Sequence, residues 1–146
     1  MGLLPADDHR LEAELLRQIE GAFVQGIGTL TSEQTRYADD GRLITNGTWE
    51  YKPPFSKSIP EVLNVHMLRY PADDSAGGPP LDRFGVLSSK ATGEPPLVLA
   101  TSAFFAIKHA ILAARQEHAG DSGWFDLDAP ATTERIRQAC IGITPA

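Results

Sequence analysis

The apolar positions fall into three helical patterns, separated by polar stretches rich in proline and glycine. Leu11, Leu15, Leu16 and Ile19 recur at three- and four-residue steps, which predicts a helix over about 8–25 with Asp7-Asp8 at its start. Gly21 weakens the middle of that helix. Gly26 or Gly28 would end it, and its glycines would allow close packing. From Leu97 to Ala114 the chain is apolar on nearly every side, interrupted by Thr101, Ser102, Lys108 and His109. A helix of that kind is usually buried in a larger body, so this pattern predicts a long buried helix over about 95–117. Its interruptions argue against a membrane span. Gly120 closes it. The third pattern follows Thr132 or Thr133, either of which can cap a helix over about 133–141.

Between the helices the period changes. Thr29 to Gln34 reads as a short helical piece. Asp39-Asp40-Gly41 is a turn signal, Arg42-Leu43-Ile44-Thr45 a short strand, and Asn46-Gly47 a tight turn. Trp49 to Phe55 is extended and stiffened by Pro53-Pro54. Leu63, Val65 and Met67 alternate as a strand does, with His66 on the polar phase. Pro71 to Pro80 is a loop by composition, and Val86 to Ser89 is a further short strand. Together these elements predict an α+β fold: a long buried helix, two further helices, and short, mainly antiparallel strands.

Composition narrows the class. With 146 residues, 42% apolar and 22% charged, the chain has the make-up of a soluble globular domain with a core. A net charge of −6 argues against a nucleic-acid or anionic-membrane surface. The single cysteine, Cys140, permits no internal disulfide and no cysteine metal cluster. It reads as a buried structural thiol. No basic region followed by an apolar core opens the sequence, so no leader is expected, and Asn46-Gly47-Thr48 reads as a turn rather than a glycosylation site. No Ser-His-Asp elbow is present, and His66 has no second ligand at metal spacing.

Two stretches carry candidate chemistry. In Ser89-Lys90-Ala91-Thr92-Gly93-Glu94-Pro95-Pro96-Leu97 a polar loop ends in one carboxylate, and two prolines then open the apolar helix. By spacing alone, Glu94 is a helix-start carboxylate complementing the helix dipole. In Gln18-Ile19-Glu20-Gly21-Ala22-Phe23-Val24-Gln25-Gly26, spacing alone gives a helix with packing glycines.

Both stretches, together with Phe104-Phe105-Ala106-Ile107-Lys108 and the tail from Asp128 to Cys140, resemble the xanthine dehydrogenase and aldehyde oxidase family of molybdenum hydroxylases, all in the family's order. The resemblance runs from about Gln18 to Cys140. It leaves residues 1–17 as a divergent N-terminal segment: the family reaches Gln18 through Gly-Gln, whereas Arg17 stands here. Residues 18–146 would then be the C-terminal part of a molybdopterin-binding domain.

The resemblance implies hydroxylation of a purine, or of an aldehyde, with oxygen taken from water at a molybdenum–molybdopterin cofactor. It implies Glu94 as the general base, Gln18 as a cofactor contact, and Gly93 as a backbone position allowing close approach of cofactor or substrate. Iron–sulfur clusters and flavin would belong to other domains. The expected partner is the remainder of such an enzyme, usually a homodimer, in the cytoplasm. Taken by itself, the chain should expose apolar surface. The alternative is a non-catalytic remnant or interaction fragment that keeps the helices without the chemistry.

Overall fold

The computed structural model of the chain describes residues 5–67 and 91–141. In order these form α1 (Pro5–Thr31), a single 3-10 turn (Ser56–Ser58), α2 (Glu94–Leu99), α3 (Thr101–Ala119) and α4 (Thr133–Ala139). The fold-defining packing is that of α1 against α2, with α3 making a smaller contact.

The first helix runs through both glycines expected to end it. Each is held by a neighbour that fits only a hydrogen in place of a side chain. A Cβ on Gly26 would lie 2.6 Å from the Ala100 Cβ and nearer still to the Leu97 carbonyl oxygen. One on Gly28 would collide with Pro54 and the Glu33 carboxylate. The close packing foreseen for these glycines is present, but the helix end is not at either one. The piece expected over Thr29 to Gln34 contributes Thr29–Thr31 to α1 and no separate helix.

The expected strands are corrected. Among the described residues there is no strand or sheet, only an isolated antiparallel bridge between Tyr37 and Leu43. Gly41, at φ 81°, turns the chain back. The Ala38 N–H then bonds the Arg42 carbonyl at 2.9 Å and the Ile44 N–H bonds the Arg36 carbonyl at 2.8 Å. The buried Thr45 Oγ1 accepts from the Arg36 N–H at 3.0 Å and stops the pairing there. The 63–67 segment alternates but is extended coil, because a ladder needs a partner and none of the described residues supplies one. Asn46-Gly47 is not a hairpin turn either: the Gly47 carbonyl accepts from the Glu50 and Tyr51 N–H groups, closing a helical turn over 47–51. The loop expected over 71–80 and the strand over 86–89 lie outside the described residues.

The long apolar helix is also corrected. It is divided at Ala100, whose carbonyl takes the Ala103 N–H in a three-residue step at 3.0 Å. That tighter turn re-aims α3 where the fully buried Ala100 presses on Gly26. Nor is the span buried within this chain. Only 11% of its apolar window is covered, and Val98, Leu99 and Phe105 are 64%, 63% and 54% exposed. The exposed apolar surface expected of the chain is therefore present. By length and composition alone Glu94–Ala119 suffices to cross a membrane, since Lys108 is the one charge in its apolar stretch. Those two properties are shared with core helices of large domains.

The second packed region lies at the far end of α3. Ile111, Leu127 and Ala131 form its buried centre, flanked by Phe104, Ile107, Phe125, Ile136 and the half-buried Cys140. Gly120, at φ 65°, ends α3 in the left-handed conformation that glycine adopts without steric cost. The following segment is clamped back over the helix. The Arg115 guanidinium donates to the Ala139 carbonyl at 2.9 Å, pairs with Asp121 and lies 5.1 Å from the Phe125 ring centre. The N–H of Gly123 and the Arg115 charge hold the Asp121 carboxyl below its ordinary pKa. Lys108 places its ammonium 3.9 Å from the centre of the Trp124 ring. The Ala131 N–H bonds the Leu30 carbonyl at 2.7 Å, tying this region to the end of α1. Thr132 caps α4 through its Oγ1, which accepts from the Arg135 N–H at 3.3 Å.

Candidate functional site

The groove that holds the sequence-selected residues lies where α1 crosses the start of α2. It is open and of about 420 Å³, lined on one side by Arg17, Gln18, Gly21, Ala22 and Gln25, and on the other by Gly93, Glu94 and Leu97. Gln18 and the adjacent pair Gly93 and Glu94, far from it in sequence, thus share one cavity.

Each wall has a local reason. On α1, positions 18, 21, 22 and 25 fall on one face, because steps of three, four and seven return to the same side of a helix. On the opposite wall the chain enters α2 at Glu94, with Pro95 and Pro96 in its first turn. A proline nitrogen lacks only the hydrogen that the first turn would leave unpartnered. The Glu94 Oε2 accepts from the Thr92 N–H at 3.2 Å, a short-range contact that turns the carboxylate back over the loop. Gly93 is the residue before the helix, with φ −88° and ψ −28°. A Cβ there would meet the Ala22 Cβ at 3.5 Å, an ordinary contact. Neither dihedral angles nor packing within the described residues requires glycine at that position.

The polar groups of the groove are one carboxylate, one guanidinium and two carboxamides. Gln18 donates through Nε2 to the Glu14 carboxylate at 3.1 Å. Arg17 pairs with the same carboxylate at 3.5 Å, with both side chains mostly exposed. The side-chain amide of Gln25 makes no hydrogen bond among the described residues. The floor is small: Gly21 has nothing within 4 Å of an added Cβ, and Ala22 is buried.

Sequence reasoning missed Arg17, Gln25 and Leu97. The signal for Gln25 was present, since it lies two helical turns beyond Gln18. Leu97 is one turn beyond Glu94 by the same rule. Arg17 had no such signal, because it belongs to the segment that departs from the family pattern.

Among the described residues no three His, Cys, Asp or Glu side chains are grouped to hold a metal ion. The groove instead offers amide donors and acceptors over a floor of small residues. That set fits a flat organic group rich in nitrogen and oxygen better than a bare cation.

Residues 13–60 match the profile of the molybdopterin cofactor-binding domain. Mouse xanthine dehydrogenase/oxidase is 49% identical over 127 residues, which is 85% of this chain and 9% of that protein. Xanthine dehydrogenase of Drosophila subobscura is 51% identical over 84% of this chain and 8% of its own length. A probable aldehyde oxidase 2 of Oryza sativa is 44% identical over 86% of this chain and 9% of its own. The chain therefore carries part of a molybdopterin cofactor-binding domain. Over this segment it belongs to the xanthine dehydrogenase and aldehyde oxidase family of molybdenum hydroxylases, while spanning less than a tenth of the length of these relatives.

Proposed function

We propose that the chain contributes one side of the active site of a molybdenum hydroxylase acting on a purine, with Glu94 as its general base. The observation that supports this reading most is the meeting of Glu94 with Gln18 and Gly93 in a single groove. When bound, the molybdenum–molybdopterin group supplies the hydroxylation chemistry. The residues of this chain hold and orient what lies in the groove. Gln18 has two N–H donors and one carbonyl acceptor, so it can match a heteroatom-rich edge with either polarity. Gly93 leaves the space of a side chain beside it. Glu94 receives the proton at a carboxylate oxygen, and its contact with the Thr92 N–H sets which oxygen faces the loop.

The remaining walls of the site, the other redox centres and the electron acceptor belong in this reading to the rest of a larger cytoplasmic enzyme. The apolar face of α2 and α3 is the surface on which that remainder packs. An aldehyde substrate is the second reading, supported by the 44% identity to the rice protein.

The test is molybdenum content and purine turnover of the natively purified protein, wild type beside Glu94→Gln. Metal should be equal in both. Turnover should fall on the order of 10²–10⁴-fold in the variant, the usual contribution of a positioned base. Equal turnover in both would remove Glu94 from the chemistry. Absence of metal and turnover in the wild type would favour a non-catalytic remnant.

A further inference from the structure

Helix α1 and the start of α2 are the two walls of the groove, and one buried contact sets how far apart they stand. The Gly26 backbone lies against the Leu97 carbonyl oxygen and the Ala100 methyl, so closely that a Cβ on Gly26 would come within 2.6 Å of the Ala100 Cβ. Ala100 is fully buried. It is also held from both sides: its N–H bonds the Pro96 carbonyl at 3.2 Å, and its carbonyl accepts from the Ala103 N–H at 3.0 Å. The other approach of the two walls has slack. A Cβ on Gly93 would meet the Ala22 Cβ at 3.5 Å, an ordinary contact, so a methyl group fits there without moving either helix. The separation is therefore fixed at Gly26 and Ala100, neither of which lines the cavity.

That stop is mechanically close to Glu94. Leu97 lies one helical turn beyond it. Pro95 and Pro96 stand between them, and their rings lock φ, so the turn moves as a unit. On the other wall α1 runs unbroken from Gly26 back to Gln18, roughly 12 Å at the rise of an α-helix. Anything that thickens the contact at Gly26 pushes Glu94 away from the Gln18 wall.

We propose that Gly26, with Ala100 as its counterpart, is a positioning residue of the site: the missing side chain at Gly26 sets the width of the groove, and so the place of the Glu94 carboxylate relative to what the groove holds. The inference rests on the reading of Glu94 as the base. It goes beyond that reading by assigning the geometry of the base to a buried contact that touches neither substrate nor cofactor.

The experiment uses the natively purified holoprotein. Gly26→Ala is compared with wild type and with Gly28→Ala, whose Cβ collides with Pro54 and the Glu33 carboxylate, both outside α2. Nitroxides attached at Leu15→Cys and Val98→Cys, exposed positions on α1 and α2, report the separation by pulsed electron spin resonance, with Cys140→Ser removing the native thiol. In Gly26→Ala the walls must part by about 1 Å to regain ordinary carbon–carbon spacing, and the label distance should grow accordingly. Turnover per molybdenum should fall on the order of 10²-fold, the effect of a misplacement of that size. The loss should lie in kcat rather than KM. Gly28→Ala should lower the unfolding midpoint as Gly26→Ala does, yet keep the label distance and hold kcat within about two-fold of wild type. Adding Ala100→Gly to Gly26→Ala removes the opposing methyl and should restore part of both distance and turnover. If Gly26→Ala does not accumulate, Ala100→Ser adds one atom to the same contact and carries the same expectation at smaller size.

An unchanged label distance, or equal turnover losses in Gly26→Ala and Gly28→Ala, would overturn the assignment. So would a full kcat in a variant whose labels have moved apart. Failure of the underlying reading looks different: Glu94→Gln would keep its turnover, while the label distance still answered to Gly26.

Discussion

The two packed regions of this chain are built on opposite plans. Where α1 meets α2, contact is made by residues with little or no side chain: Ala22, Gly26, Gly93 and Ala100. Backbones approach closely, and the space left beside them is a groove lined by polar groups. At the far end of α3, large side chains do the packing: Ile111, Leu127 and Phe125, with Arg115 and Lys108 laid over aromatic rings. The first region sets distances and leaves room. The second fills its space and anchors the tail. The difference separates positions where a change of volume costs stability, such as Ile111 and Gly26, from those such as Gly93 where it leaves the packing intact.

Substitutions sharpen that contrast in order of size. Ile111→Ala opens a hole in the filled region and should cost about 3 kcal/mol in urea unfolding of the purified chain. A cost below about 1 kcal/mol would mean that the cluster is not a core. Gly26→Ala should cost about 2 kcal/mol, because the helix-propensity gain of alanine is outweighed by the collision with Leu97 and Ala100. Stabilisation instead would show that α2 can back away. Gly21→Ala, on the same helix, meets nothing within 4 Å and should stabilise by about 0.5–1 kcal/mol while crowding the groove floor. Gly93→Ala should leave the unfolding midpoint nearly unchanged, since its Cβ finds an ordinary contact. In the holoprotein the same change should lower turnover, if close approach at Gly93 matters.

The smallest effect is electrostatic. The pKa of Asp121 is lowered in the folded chain, first by the Gly123 N–H and then by Arg115. Its stabilisation is therefore full above the unfolded value of about 3.9 and is lost as pH falls through the lower folded value. Asp121→Asn should flatten that acid limb of the stability curve and leave its shape near neutrality unchanged.

The helices were legible because their signals are local. Thr132 as a cap and Gly120 as a stop are read from a few neighbours, and the structure uses both. The end of α1 was misread because Gly26 and Gly28 answer to Leu97, Ala100 and Pro54, all distant in sequence. The strands failed for the same reason: alternation at Leu63, Val65 and Met67 describes a face, whereas a strand requires a partner. In the groove, nothing in the spacing of the chain links Gln18 with Glu94. Their pairing came from family resemblance, and the fold places them together. Gln25 could have been found from Gln18 by helical geometry alone.

The walls of the groove sit at positions 18 and 94, so it does not exist until a long intervening segment has been closed into a loop. Loop closure has an entropic cost that grows only slowly with length, and the close α1–α2 contact at Gly26 and Ala100 helps to offset it. A molecule seated between Gln18 and Glu94 touches both ends of that loop and binds only its closed form. By mass action it shifts the chain toward closure. Protection of the α1 amides from hydrogen exchange should therefore rise with ligand concentration, and most steeply near Gly26, where the loop is shut.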